Sequence, residues 1–318
     1  MSRSEFEIIA AFFASLTPQR DDVVLGIGDD CALLQPPAGK LLAVSSDTLV
    51  EGVHFFPGCD AHALGHKALA VNLSDLAAMG AEPAWVSLAL TLPEADENWL
   101  SAFAAGFRQL AEQHHVQLVG GDTTRGPLSI SITIQGFVAP DKVLRRSGAQ
   151  IGDLVCVTGQ LGGAALAVEL INAGMSLPDD IQQKLDYPVP RIAAGQQLAQ
   201  HATAAIDVSD GLLADLGHIL QASGAAAELS AAAMPMLPAV QHQAEQQSRW
   251  DLPLSGGDDY ELCFTIAPQH QSWLLQLAEN LDCPVTVVGH IVPGEGISVT
   301  LSDGSLWQGH AAGYQHFS

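Results

Sequence analysis

Positive charge is what this 318-residue chain has least of: 12 Lys and Arg stand against 35 Asp and Glu, a formal net charge of −23. A nucleic-acid backbone or an anionic lipid surface would be repelled, so nucleic acid and membrane drop out as partner classes. Cysteine is sparse as well. Cys31, Cys59, Cys156, Cys263 and Cys283 are widely scattered with no C-x-x-C pair, which disfavours a disulfide framework or a zinc knuckle and points to a reducing cytoplasm. No run of 18 apolar residues is present to span a bilayer. The apolar stretch 8–16 follows Glu5 and Glu7, which argue against a secretory signal; Phe6, Ile9 and Phe13 instead predict an amphipathic first helix.

The familiar catalytic and nucleotide motifs are missing too. There is no G-x-x-x-x-G-K-[ST], no H-E-x-x-H and no G-x-S-x-G, which disfavours a P-loop, a zinc hydrolase and a serine hydrolase. The segment Gly26-Ile27-Gly28-Asp29-Asp30-Cys31 begins like a dinucleotide fingerprint, yet its turn carries two acids and its last position is Cys. It is not a Rossmann turn.

What the chain does have is core: 48% of its residues are apolar and only 15% charged, enough for a large interior shared by two domains. Strand-like runs end repeatedly in an acidic or glycine-rich turn: 23–27 before Gly28-Asp29-Asp30, 41–44 before Ser45-Ser46-Asp47-Thr48, and 116–119 before Gly120-Gly121-Asp122-Thr123. Period-two alternation predicts strands over 84–92 and 128–138, and helical spacing predicts helices over 62–79 and 99–114. A basic cluster, Lys142, Arg145 and Arg146, marks the domain boundary, placed at residues 147/148, and a new strand follows over 154–158.

Asp29, Asp30, Asp47, Asp75, Asp122, Asp207 and Asp210 all have Gly, Ser or Thr close by, most of them at predicted strand ends. Any one of them serves as well for a helix cap or an Asx-turn. Asp207-Val208-Ser209-Asp210-Gly211 is different, since it packs two carboxylates and a hydroxyl into four residues. Two unit charges 4 Å apart repel by about 4 kcal/mol at an effective dielectric of 20, so such a cluster calls for a cation. Oxygen ligands of this kind suit Mg²⁺, which also takes phosphate oxygens. The Gly120-Gly121 and Gly162-Gly163 turns could offer backbone N–H groups to phosphate, and Arg146 a guanidinium, unless that basic cluster is simply a solvated face. His54 reads equally as a substrate contact or a packed residue. On the 62–79 helix, Asn72 and Asp75 share a face that is either solvated or turned toward the acidic turns.

Taken in order, Gly26 to Asp30, Asp47 to His54, Lys67 to Ala81, Gly120 to Thr124, Asp207 to Gly211 and Gly256 to Leu262 resemble the thiamine-monophosphate kinase family. That family lies within the aminoimidazole ribonucleotide synthetase-like superfamily. The resemblance implies an α+β, two-domain fold. Residues 1–147 would form an ATP- and metal-binding domain whose mixed sheet pairs across a homodimer, and 148–318 an α/β domain completing the substrate site. It implies ATP-dependent phosphorylation of thiamine monophosphate with Mg²⁺, by direct in-line transfer. Asp30, Ser45, Ser46, Asp47, Asp75, Asp122, Asp207 and Asp210 would be metal-site residues, Asp122 and Asp210 being catalytic. Gly120, Gly121, Arg146 and Ser209 would contact ATP; His54, Asp258 and Tyr314 would contact thiamine phosphate. Asp258 stands where the family often has Glu, and Ser46 where Thr is frequent.

Two other readings stay open on residues alone. One is another ATP-dependent synthetase of the superfamily; a selenophosphate synthetase would need a reactive thiol, and the flanking Asp29 and Asp30 disfavour Cys31 for that role. The other is a non-catalytic protein that binds divalent metal or nucleotide.

Overall fold

The computed structural model describes residues 4–281, 283–309 and 313. The chain divides into two compact units, one running to Leu76 and resuming over Ala81–Asp141, the other comprising Ala77–Gly80 and everything from Lys142.

Unit 1 begins with α1 (Glu5–Ile8), capped at Ser4 by a reciprocal Ser4–Glu7 pair. A π-turn over Ile9–Phe13 follows. That turn corrects the expected helical stripe. Its i→i+5 bond from Ala14 N to Ile9 O, 2.9 Å, shifts the buried side from the expected Phe6, Ile9 and Phe13 to Ile8, Phe13 and Leu16, and leaves Phe6 79% exposed.

A short antiparallel pair, β1 (Val23–Leu25) and β2 (Leu33–Leu34), comes next. The main elements of the unit are β3 (Leu41–Val50), α2 (Ala61–Ala78), β4 (Glu82–Leu92), α3 (Glu97–Gln113), β5 (Gln117–Arg125) and β6 (Ser129–Val138). Their sheet has the order β3-β6-β4-β5, antiparallel except for β4 beside β5, which the α3 crossover makes parallel. Ile130, Ile132 and Ile134 are buried while Ser129, Ser131 and Thr133 alternate on the other face. Helices α2 and α3 meet through glycines: a Cβ on Gly65 would lie 2.0 Å from Phe103 O, and one on Gly106 would lie 1.9 Å from His62 O. Only hydrogen fits there.

Two segments expected as turns lie inside strands. Ser45 to Thr48 belong to β3 because Ser46 and Thr48 find hydroxyl partners on β6, Thr133 at 3.0 Å and Ser131 at 2.8 Å. Gly120 to Thr123 belong to β5, which absorbs them with a register shift opposite Val86 and Ser87.

Unit 2 contains β7 (Leu154–Thr158), α4 (Gly163–Asn172), α5 (Asp179–Asp186), α6 (Ile192–Leu198), β8 (Ala202–Val208), α7 (Leu212–Ser223), β9 (Ala226–Ser230), α8 (Pro238–Gln246), α9 (Asp251–Ser255), β10 (Glu261–Ile266), α10 (Gln271–Leu281), β11 (Val285–Val292) and β12 (Gly296–Thr300). Six strands form one sheet ordered β12-β9-β11-β7-β10-β8, antiparallel but for the pair β12 and β9. Val155, Val157, Ile206, Leu216, Ile219 and Val288 belong to its core. No helix among the described residues is long and apolar enough to cross a membrane.

Candidate functional site

Strand β3 is polar in the middle, and its alternation sends neighbouring residues to opposite faces. Ser45 and Asp47 face α2, where the Ser45 hydroxyl donates to Asp75 Oδ2 at 2.5 Å. Asp47 stands within hydrogen-bonding reach of the Asp75 carboxyl. Burial first, and then the Asp75 charge, push the Asp47 carboxyl up to about 6. On the same α2 face, Asn72 is fully buried; its Nδ2 donates to Ala68 O at 3.0 Å, while Oδ1 meets no donor among the described residues.

Register separates the other expected ligands of unit 1 from this group. Ser46 pairs with Thr133, and its hydroxyl donates to Ile132 O at 3.0 Å, on the sheet face away from α2. Asp122 is exposed and aligned with Ala89 and, through it, with Ser131 and Thr48, so it shares that outer face. Asp30 is exposed in its turn, where its N–H donates to Asp29 Oδ1 at 2.8 Å. Gly120 has open space around it; Gly121 has φ 147° and lies against the Leu88 backbone. His54 closes a turn after β3, its Nδ1 accepting from Val50 N at 3.0 Å, which leaves Nε2 as the N–H side of a neutral ring.

In unit 2, β8 delivers the 207–211 loop. Asp207 is buried at the strand end, paired in register with Leu262, while Ser209 and Asp210 are half-exposed. The loop is tied down by residues that sequence reasoning missed. Asp215, on the first turn of α7, accepts the N–H groups of Ser209, Asp210 and Gly211. Burial drives its carboxyl up to about 7 against the pull of those amides. On the other edge, Asp258 N donates to Ser209 O and Tyr260 N to Val208 O, both at 2.8 Å.

Asp258 and Tyr260 both hold positive φ, 68° and 49°. Each such non-glycine residue costs about 1–2 kcal/mol and persists only where its surroundings enforce it. Here the enforcement is visible: the two backbone bonds just named, and a Tyr260 hydroxyl donating to Asp258 Oδ1 at 3.0 Å. Between them Asp259 accepts the Gly162 N–H with both oxygens, at 3.0 and 2.9 Å, and burial holds its carboxyl well above the usual range. The Gly162 amide, expected to be available for phosphate, is therefore engaged by Asp259. Next along, Glu261 is buried and receives Arg191 Nε at 2.6 Å, Nη2 at 2.7 Å and the Thr158 hydroxyl at 2.8 Å. The signal for these partners was weak, because Asp259 and Glu261 bond residues 97 and 70 positions away. Arg146 is exposed, and Tyr314 lies outside the described residues.

Among the described residues no three His, Cys, Asp or Glu side chains gather as a metal cage. The donor set around Asp75 nevertheless fits a hard divalent cation: two facing carboxylates, a hydroxyl and a buried amide oxygen without a donor on the same helix face, all oxygen.

The AIR synthase related protein, N-terminal domain family matches residues 28–138, and the C-terminal domain family of the same proteins matches 150–302. Thiamine-monophosphate kinase of Salmonella typhimurium is 45% identical over 327 residues, covering 100% of this chain and 99% of that one. The crystal structure of thiamine-monophosphate kinase from Stenotrophomonas maltophilia superposes with a TM-score of 0.87 at 49% identity, over 96% of this chain and 98% of that one. AaThiL complexed with AMPPCP and TMP gives a TM-score of 0.76 at 31% identity, over 92% of each chain. The chain thus belongs to the thiamine-monophosphate kinase family of AIR synthase related proteins.

Proposed function

We propose that this protein transfers the γ-phosphoryl group of ATP to thiamine monophosphate, forming thiamine diphosphate and ADP. The observation that carries the reading is the Asp47–Asp75 pair, two carboxylates brought face to face in a chain related over its whole length to thiamine-monophosphate kinases.

The chemistry asks little of a base. A phosphate monoester is anionic near pH 7, so its oxygen forms the new bond to the γ-phosphorus while the bond to the β,γ-bridging oxygen breaks and ADP departs. No phosphoenzyme forms. Repulsion between two polyanions is the obstacle, and Mg²⁺ supplies positive charge against it when bound. Asp47, Asp75 and Ser45 would hold one such cation; Asp30, Ser46 and Asp122 on unit 1, and Asp207 and Asp210 on unit 2, would serve further Mg²⁺ ions. Gly120, Gly121, Arg146 and Ser209 would meet ATP, and His54, Asp258 and Tyr314 the thiamine phosphate. Residues 1–147 would be the ATP- and metal-binding and dimerisation domain, and 148–318 the α/β domain that adds Asp207, Ser209, Asp210 and Asp258.

The homodimer belongs to the same proposal. Strand β3 is an edge of the unit 1 sheet, and Leu41, Leu42 and Val44 on it are exposed, an apolar edge that a second copy would cover. Cytoplasmic residence is supported by five cysteines outside any disulfide. The deciding experiment is chromatographic detection of thiamine diphosphate from thiamine monophosphate, ATP and Mg²⁺. Wild type turns over; Asp210→Asn loses about 100-fold or more in kcat. A wild-type protein that binds Mg²⁺ and ATP yet forms no product would end this reading.

A further inference from the structure

Ser209, Asp210 and Gly211 are consecutive, and their three amide N–H groups converge on a single atom. Each donates to Oδ2 of Asp215, at 3.0, 3.0 and 3.1 Å. Successive N–H groups directed into one hollow are how a backbone captures an anion. Here the occupant is already part of the chain, a side-chain carboxyl oxygen. Asp215 is 3% exposed and anchored in α7, its own N–H donating to Gly211 O at 3.0 Å.

An ordinary helix cap precedes the helix and satisfies the amides that follow it. Asp215 does the reverse, reaching back from inside α7 to residues that come before it. Two consequences follow for the loop. Its amides are spent, so what it can offer a ligand is side chains, the Ser209 hydroxyl and the Asp210 carboxylate. Its backbone is also fixed on both edges, since Val208 O and Ser209 O accept from Tyr260 N and Asp258 N.

We propose that Asp215 is the positioning residue of the 207–211 loop: a resident carboxyl that fills the amide hollow and thereby fixes Ser209 and Asp210 for phosphoryl transfer. The last clause rests on the kinase reading given above; the filled hollow does not.

The test uses full-length wild type, Asp215→Ala and Asp215→Asn, with added formate as a carboxylate of the missing size and chloride at equal ionic strength as control. Misplacing reacting groups by about 1 Å costs about 100-fold, so Asp215→Ala is expected to lose that much in kcat, with a smaller change in KM for thiamine monophosphate. Formate, but not chloride, restores activity. Amide hydrogen exchange at residues 209–211 rises in Asp215→Ala and falls again with formate. Asp215→Asn keeps one acceptor oxygen and lies between wild type and Asp215→Ala; if Asp215→Ala does not fold, Asp215→Asn carries the same measurements. Activity of Asp215→Ala within about threefold of wild type would overturn the proposal. So would a loss insensitive to formate with exchange at 209–211 unchanged. Should wild type itself make no thiamine diphosphate, the kinase reading fails, and the exchange measurement still decides whether Asp215 holds the loop.

Discussion

The two units keep carboxylates close together by opposite means. In unit 1, Asp47 faces Asp75, and Ser45 donates to that pair. In unit 2, Asp215 lies beside Asp210 but receives three backbone amides. Like charges 4 Å apart repel by about 4 kcal/mol at an effective dielectric of 20, whereas each hydrogen bond to a charged group returns about 1.5–3 kcal/mol. The three amides offset part of the cost of burying Asp215, whose carboxyl still rises to about 7, while the Ser45 hydroxyl is one donor at the unit 1 pair, where the Asp47 carboxyl rises to about 6. Closeness of acids is therefore not itself the mark of a metal site. Backbone amides order one pair, and a side-chain hydroxyl contributes to the other.

The sharpest way to break this contrast is Asp47→Asn. If the unit 1 pair depends on a cation, the variant loses about 1,000-fold in kcat/KM and its Mg²⁺ dependence weakens, read by steady-state assays over a Mg²⁺ titration. The same substitution should raise the stability of the metal-free protein by about 1 kcal/mol, because a repulsion disappears. Denaturant unfolding in a chelator measures it. Unchanged activity with unchanged stability would dissolve the contrast.

Helix α2 carries Asp75, so the seat of that helix matters next. Gly65→Ala drives a Cβ into Phe103 O and should cost about 2–3 kcal/mol in unfolding free energy. Gly217, inside α7 of unit 2 with open space around it, offers the matched control. There Gly→Ala should be neutral or stabilise by about 0.5–1 kcal/mol. Equal losses at both sites would mean that close helix approach is not what seats Asp75.

Asp22 sharpens the comparison within unit 1, since a guanidinium and an indole donate to it. Arg20 Nε and Nη2 reach it at 3.0 and 2.8 Å, and Trp85 Nε1 at 2.8 Å. The Arg20 hydrogen bond first, helped by Trp85 and the Arg20 charge, holds its carboxyl below the usual 3.8. A depressed folded value means stability that is present above 3.8 and lost as pH falls through the folded pKa. Asp22→Asn should cost about 1 kcal/mol at pH 7, and the gap from wild type should close under acid, as read by denaturant unfolding at a series of pH values.

Much of the fold is legible along the chain because its signals are local. The alternation of Ile130, Ile132 and Ile134 gives β6, and the approach to Gly163 gives the start of α4. Strand lengths are less legible. Ser45 to Thr48 look like a turn until Ser131 and Thr133 supply cross-strand hydroxyls, and Gly120-Gly121 looks like a break until a register shift carries β5 through it. Candidate site residues are legible as types, but their grouping is not. Ser45 and Ser46 are adjacent letters on opposite faces of one sheet, and Asp215 reads as an ordinary first-turn acid of α7.

The sequence by itself determined the class of molecule: an acidic, two-unit α+β chain whose Ser, Gly and Asp motifs, in order, resemble those of a phosphotransferase family. Composition and short-range spacing suffice for that, since periodicity and turn chemistry act over a few residues. Only the tertiary structure decided which donors meet which carboxylates. A charge is satisfied by whatever donors surround it in space, and those donors come from strands and helices that the sequence holds far apart, as Ser45 meets Asp75 and Glu261 meets Arg191.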